Sequence, residues 1–262
     1  MSISGSTLVE KSKTLSFVRR TRGNRWGGLR RILGIILCTS RAVTAIMRSE
    51  KAQGGVRQAQ EARHLVMIAW AREAMEILGV QVTTLGRAHD QPCLLIGNHS
   101  SYLDIPLMMA VTPTVFVAKA QLKSWPVFGK AMVSVGTVFV ERESRHSRKG
   151  AAEAIAPSIL NEKQSVTIFP SGTTTIDEVK PWRWGAFVIA KRYGIPIQPV
   201  RIRYTPARTA AFIGQDLFLT HLWRLATCPG GVQATVEFAD PIVVTDPQAD
   251  ALKWWQWCKE GL

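Results

Sequence analysis

Four short blocks of this sequence carry side chains that could do chemistry. The first is Asn98-His99-Ser100-Ser101-Tyr102-Leu103-Asp104, directly after the apolar run Cys93-Leu94-Leu95-Ile96-Gly97. A histidine just past a strand end, on a loop that feeds a helix, stands where α/β folds set reactive groups. Asp104 falls five residues later, about one turn into the helix that should follow. From there its carboxylate can reach one imidazole nitrogen, fix the tautomer and leave the other nitrogen basic. His99 and Asp104 are the candidate catalytic pair. The same letters allow a second reading, in which Ser101-x-x-Asp104 is a capping box and His99 a satisfied loop residue. Both His99 and Asp104 read as loop positions whose removal should leave the fold intact.

The second block is Gly136-Thr-Val-Phe-Val-Glu-Arg142, with Arg142 leaving a strand end. The third is Phe169-Pro-Ser-Gly-Thr-Thr-Thr175, again behind an apolar strand, and the fourth is Gly194-Ile-Pro-Ile-Gln-Pro-Val200. Strand ends that present His/Asp, an arginine and a Gly-Thr loop describe a base beside anion-binding groups. Taken singly, each has a plainer reading. Arg142 is then a solvated charge, Gly172 a turn glycine, and Pro196 and Pro199 edge-strand punctuation.

The elements that must position these blocks follow from pattern. With 262 residues, 46% hydrophobic and 20% charged, the chain is globular and long enough to bury a core. Short β-rich runs fall at 80–85, 93–97, 115–118, 137–141, 166–169, 197–204 and 232–239. Helical stretches fall at 104–111, 124–134, 146–160, 185–193 and 247–260, and Pro157 should kink or shorten the third of these. This alternation predicts an α/β fold, a central mixed sheet covered by helices. Two further helices are expected near 25–49 and 56–79, broken at Gly54-Gly55. The expected division is a loose basic N-terminus over 1–24, a helical pair over 25–79, and the main domain over 80–262. No internal repeat is present.

Net charge is +14, and residues 1–60 hold twelve of the basic side chains against two glutamates. An anionic partner is implied, and it belongs to the N-terminal part. Aromatic–basic alternation on a sheet is lacking, which argues against a nucleic-acid surface. The apolar run Ile32–Cys38 is shorter than a spanning helix needs, about 20 residues. Residues 25–41 fit a basic helix lying among lipid headgroups, with Arg25, Trp26, Arg30, Arg31, Ile32 and Ile36 as membrane contacts. An export signal and a helix docked on its own core are the competing readings. Cys38, Cys93, Cys228 and Cys258 are far apart with no metal-ligand spacing, so reduced thiols and no metal are expected.

Order and spacing of the four blocks resemble the glycerolipid acyltransferase family, typified by lysophosphatidic acid acyltransferase, over roughly residues 80–245. Asn98, His99 and Asp104 match the first motif, and Gly136, Phe139 and Arg142 the second. Phe169, Pro170, Gly172 and Thr173 match a third motif that usually reads Phe-Pro-Glu-Gly-Thr-Arg-Ser. Ser171 stands there in place of the glutamate, and Thr174 in place of the arginine. Arg183-Trp-Gly resembles the basic element that follows, and Pro196 with Pro199-Val200 the fourth motif. The resemblance implies an acyltransferase domain at the cytoplasmic face of a membrane, peripheral or monotopic. It implies acyl-CoA or acyl-carrier protein as co-substrate, with no cofactor. The acceptor is expected to be a lysophospholipid, 1-acyl-glycerol-3-phosphate first and a zwitterionic or lyso-ornithine-type lipid as the alternative. A membrane-peripheral scaffold with a decayed site is the non-enzymatic alternative. Asn98, Lys119, Arg142, Phe169, Pro170, Ser171, Gly172, Thr173, Thr174 and Arg183 are the expected substrate-binding residues. A serine acyl-enzyme at Ser100 or Ser101 is the rival to direct transfer with His99 as base.

Overall fold

The computed structural model describes residues 13–15, 25–51, 56–124, 129, 132–133, 136–140 and 145–261. An eight-stranded mixed sheet forms its centre. In chain order the strands are β1 (Lys13–Leu15), β2 (Val80–Leu85), β3 (Leu94–Gly97), β4 (Val115–Lys119), β5 (Val138–Val140), β6 (Val166–Ile168), β7 (Ile197–Thr205) and β8 (Val232–Phe238). Across the sheet the order is β1-β2-β8-β7-β3-β6-β4-β5. The run β7-β3-β6-β4-β5 is parallel throughout, while β8 lies antiparallel to β7. Parallel neighbours end on one edge, so the loops after β3, β4 and β6 emerge side by side. Sequence blocks about 70 residues apart thereby become neighbours in space.

Helices α1 (Arg25–Lys51), α2 (Val56–Leu78), α3 (Asp104–Val111), α4 (Arg145–Leu160), α5 (Gly185–Tyr193), α6 (Ala207–Ala210), α7 (Phe218–Ala226) and α8 (Pro247–Glu260) cover the sheet. Two apolar clusters lie on its two faces. One takes Met75 and Leu78 of α2, Leu103, Leu107 of α3, and Leu95, Val200 and Ile202. The other takes Leu94, Ile96 and Ile197 with Ile155 of α4, Phe187 of α5 and Cys258 of α8. Leu94, Leu95 and Ile96 thus alternate between the two cores, as successive strand side chains must. That is why β3 reads as an unbroken apolar run.

Four expectations need correction. Lys13–Leu15, inside the stretch expected to be loose, pairs antiparallel with Val82–Thr84 of β2. The boundary at residue 79 does not divide the packing, because Ala71, Met75 and Leu78 are buried in the same core as Val80 and Val82. Helix α4 is not shortened at Pro157 and runs on to Leu160, losing only the one backbone bond that the Pro157 nitrogen cannot donate to the carbonyl four residues earlier. Helices α6 and α7 were not foreseen, although the buried positions 221, 222, 225 and 226 of α7 follow helical spacing.

Helix α1 packs on α2 and α7, with Cys38 and Ile46 turned inward. Its outer face carries Trp26, 78% exposed, with Leu29, Leu33, Ile36 and Leu37. The apolar stretch of α1 extends beyond Ile32–Cys38, and the helix is long and apolar enough to cross a membrane by length and composition.

Candidate active site

Asn98 follows the last residue of β3 and extends the ladder to β7 with its side chain. Its amide Nδ2 donates to the Ile202 carbonyl and its Oδ1 accepts from the Ile202 N–H, both at 2.8 Å. A backbone-like pairing of this kind holds the start of the loop rigidly. Just before it, Gly97 has no room for a side chain, since a Cβ there would lie 2.6 Å from the Val200 carbonyl oxygen.

His99 is next, with its side chain 19% exposed. Its Nδ1 lies 2.7 Å from Asp104 Oδ2. The same oxygen accepts the Ser100 and Ser101 N–H groups at 2.8 and 3.0 Å, and Oδ1 accepts the Tyr204 hydroxyl at 2.7 Å. Four donors converging on two oxygens suit an ionised carboxylate. Asp104 then holds the proton of His99 on Nδ1, and Nε2 carries the free lone pair. The expected capping box is only half formed: Asp104 Oδ2 accepts the Ser101 N–H, but the Ser101 hydroxyl takes the Leu103 N–H and α3 starts without a side-chain cap. Burial and the Asp104 charge push the Tyr204 hydroxyl well above its ordinary pKa, so it stays a donor. Asp104 is fully buried. The expectation that its removal spares the fold is therefore corrected.

Phe169, first residue after β6, stacks on the His99 ring with centroids 4.2 Å apart and planes 4° from parallel. Phe116 of β4 backs it at 6.3 Å. Behind the loop, the His99 N–H donates to Glu178 Oε1 at 3.2 Å and Trp182 donates to Glu178 Oε2 at 2.9 Å. The Thr175 N–H closes the contact by donating to the His99 carbonyl at 2.8 Å. Two strand-end loops are thus tied together around one imidazole.

The expected substrate-binding residues divide. Asn98 and Pro170 are buried, and Asn98 has both amide atoms engaged, so it positions the loop and does not face a substrate. Phe169 packs on the His99 ring. Phe169, Pro170, Ser171 and Gly172 form a tight turn, with Gly172 at φ +71° and its N–H donating to the Phe169 carbonyl at 3.1 Å, and Thr173 and Thr174 follow it. The Ser171 hydroxyl donates to the Thr173 carbonyl at 3.2 Å. Lys119 is exposed at the end of β4 on the same sheet edge, and Arg183 is exposed just ahead of α5. Arg142 lies outside the described residues. The serine rival finds no support: Ser101 is fully buried with its hydroxyl accepting the Leu103 N–H, and Ser100 is buried beside it.

Of the expected membrane contacts, Arg25, Trp26, Arg30 and Ile36 point outward. Arg31 and Ile32 do not. Arg31 donates to the Ala226 carbonyl at 3.0 Å and Ile32 packs against the core. They are corrected to helix-docking residues, on the side of α1 that meets α7.

Sequence reasoning missed Tyr204, Glu178, Trp182 and Phe116. Tyr204 left a faint signal, a hydroxyl-bearing residue on the buried phase of Val200, Ile202 and Tyr204. Glu178 left none. Also missed were Leu217 and Leu219 at the start of α7, 72% and 74% exposed.

Comparison with known proteins bears on this geometry. The Acyltransferase family model matches residues 79–203. Lyso-ornithine lipid O-acyltransferase of Pseudomonas aeruginosa is 34% identical over 178 residues, 66% of this chain and 68% of that protein. The 1-acyl-sn-glycerol-3-phosphate acyltransferase of Neisseria gonorrhoeae is 34% identical over 174 residues, 64% of this chain and 68% of its own length. The crystal structure of the 1-acyl-sn-glycerophosphate acyltransferase PlsC from Thermotoga maritima has the same fold, with a TM-score of 0.65. That match covers 90% of this chain and 95% of the other at 21% identity.

Proposed function

This chain belongs to the lysolipid acyltransferase family, and from that premise we propose that it moves a fatty acyl group from a thioester to a lysolipid hydroxyl with His99 as general base. The observation that carries the reading is the His99 ring, with Nδ1 engaged by buried Asp104 and Nε2 left to accept a proton. His99 Nε2 takes the hydroxyl proton as the acceptor oxygen attacks the thioester carbonyl carbon. The C–S bond breaks, the thiolate leaves, and His99 returns the proton to it as the thiol. Asp104 stabilises the imidazolium between these steps. A base of this kind contributes about 10²–10⁴-fold. The donor is acyl-CoA or acyl-carrier protein.

The acceptor is a lysolipid, and 1-acyl-glycerol-3-phosphate is the first reading. Lys119 and Arg183 support it, as exposed cations at the end of β4 and just ahead of α5. A second reading, a zwitterionic lyso-aminolipid such as lyso-ornithine lipid, is favoured by Thr174, a hydroxyl where the family usually has a guanidinium. A phosphate monoester normally calls for bidentate, charge-assisted partners that a threonine cannot supply. A competition assay offering both acceptors with one labelled thioester tests both. Use of 1-acyl-glycerol-3-phosphate, with binding weakened in R183A, supports the first. Acylation of the lyso-aminolipid alone overturns it in favour of the second. Labelled fatty acid released equally with or without acceptor overturns acyl transfer itself.

The same reading places the protein on the cytoplasmic face of a membrane through the outer face of α1. Trp26, Leu29, Leu33, Ile36 and Leu37 would enter the lipid while Arg25 and Arg30 meet anionic headgroups. Flotation with anionic vesicles tests it: W26S combined with L33S should lower binding that survives high salt.

A further inference from the structure

Glu178 is a fully buried carboxylate on an irregular stretch, and the reaction derived above does not use it. Its backbone φ is +42°, a region a residue with a side chain adopts only when its surroundings hold it there. Three bonds do so. Oε1 accepts the His99 N–H at 3.2 Å, Oε2 accepts the Trp182 indole N–H at 2.9 Å, and the Glu178 carbonyl accepts the Trp255 indole N–H of α8 at 2.8 Å. Two indoles from separate elements are therefore spent on aiming one acid at the back of the catalytic histidine.

We propose that Glu178 is a positioning residue for His99, fixing the loop through the His99 N–H and stabilising the imidazolium with its buried negative charge. This rests on the reading of His99 as the base. Both carboxylate oxygens face N–H donors, the pattern of an acceptor in its charged form. Burial pushes the Glu178 carboxyl above its ordinary range; the His99 N–H, the Trp182 indole and the imidazole charge offset only part of that rise, and the Asp104 charge adds to it. Asp104 is the other titratable group whose charge bears on it, while the Cys258 thiol nearby is itself pushed well up by burial and by the Glu178 charge, and so stays neutral. A carboxylate buried directly behind the histidine favours the cationic form of the ring, because on that inner side charge interactions are poorly screened even though the ring's other side meets solvent. Asp104 grips the ring atom that holds the proton, and Glu178 grips the backbone from which the ring hangs. Ser171 stands where the family usually places an acid next to the strand end, and Glu178 puts one beside the base from seven residues further on.

The test is E178Q, which keeps the shape and removes the charge, assayed as full-length protein with a lysolipid acceptor across pH 5–9. The expected result is a kcat at least about tenfold lower with the acceptor KM within about twofold. The acid limb of the kcat/KM profile should move to lower pH, because a histidine that loses a neighbouring anion gives up its proton more readily. E178D keeps the charge and cannot reach both donors, so kcat should fall while the acid limb stays in place. Wild-type kcat in either variant overturns the proposal. A slowed E178Q with an unmoved acid limb also overturns it, since a purely structural brace acts that way. H99A run alongside separates the two layers: activity in H99A overturns the base itself. Inactive H99A with an unmoved E178Q limb overturns the role of Glu178 alone.

Discussion

Two neighbouring regions each hold a histidine, and they put the same side chain to opposite uses. In the loop after β3, His99 has one nitrogen on a carboxylate and the other free, with the ring partly open to solvent. In the cap formed by α6 and α7, His221 is fully buried with both nitrogens engaged. Its Nδ1 meets the Tyr102 hydroxyl at 2.9 Å and its Nε2 meets the Ala210 carbonyl at 3.0 Å. A carbonyl only accepts, so Nε2 carries the hydrogen and Nδ1 accepts from Tyr102. Nothing is left to take a substrate proton. What makes an imidazole a base is therefore an unspent nitrogen and an anion to hold the cation, and only the first region supplies both. The two regions touch, because Tyr102 lies on the same loop as His99 and packs on Phe212, Phe218 and His221. The Phe212 N–H also donates to the Ser100 carbonyl at 2.9 Å.

The largest expected effect breaks the first region. H99A should lower kcat about 10²–10⁴-fold, with the melting temperature little changed, since the ring is partly exposed and bonds one side chain. Steady-state turnover and thermal denaturation of one preparation check both halves. D104A should also abolish most turnover, and it should cost stability where H99A does not. It strands the Tyr204 hydroxyl and two loop N–H groups in the interior, each worth about 1–3 kcal/mol when left unsatisfied. A urea midpoint for D104A no lower than that of H99A would mean that water replaces the carboxylate.

The pairing of His99 with Asp104 was legible from the sequence for a physical reason. The apolar run 93–97 is buried on both faces, so its end is unmistakable, and His99 and Asp104 are separated by one loop. The strands around it were legible on the same ground, by continuous or alternating apolar pattern. Long-range partners were not. The bonds of Asn98 to Ile202 and of Tyr204 to Asp104 join positions about 100 residues apart, and they exist only because β7 lies beside β3. Glu178 was hidden because the stretch between β6 and α5 has no period to read, and its partners are two indoles and a backbone N–H. Arg31 and Ile32 were misassigned for a related reason: α1 has apolar residues nearly all round, and only its packing on α2 and α7 tells its inner side from its outer one.

A smaller effect probes the second region through pH. Burial, and then the Arg224 charge, push the His221 pKa below its ordinary 6.5, so the folded protein keeps this ring neutral. As pH falls below about 6.5 the unfolded chain takes up a proton that the folded one refuses, and stability declines. Above that value the contribution is complete. Thermal denaturation at a series of pH values should show this decline in the wild type and a shallower one in H221Q. Equal slopes in the two proteins would place the titration elsewhere and weaken the contrast between the histidines.

The smallest effect is expected at the contact between the regions, and it sharpens the contrast most. Y102F removes the hydroxyl that donates to His221 Nδ1 and keeps the ring that packs on Phe212 and Phe218. His221 Nδ1 is left without its donor in the interior, a cost of about 1–3 kcal/mol, which a shifted denaturation midpoint would register. Turnover should stay within about twofold of the wild type, because neither His99 nor Asp104 uses that hydroxyl. The ring contacts and the Phe212–Ser100 bond, which hold the loop in register with the cap, remain. A loss of activity approaching that of H99A would mean that the bond from Tyr102 to His221 helps to hold the base in place. The cap would then be part of the catalytic machinery, and the two histidines would differ in degree, not in kind.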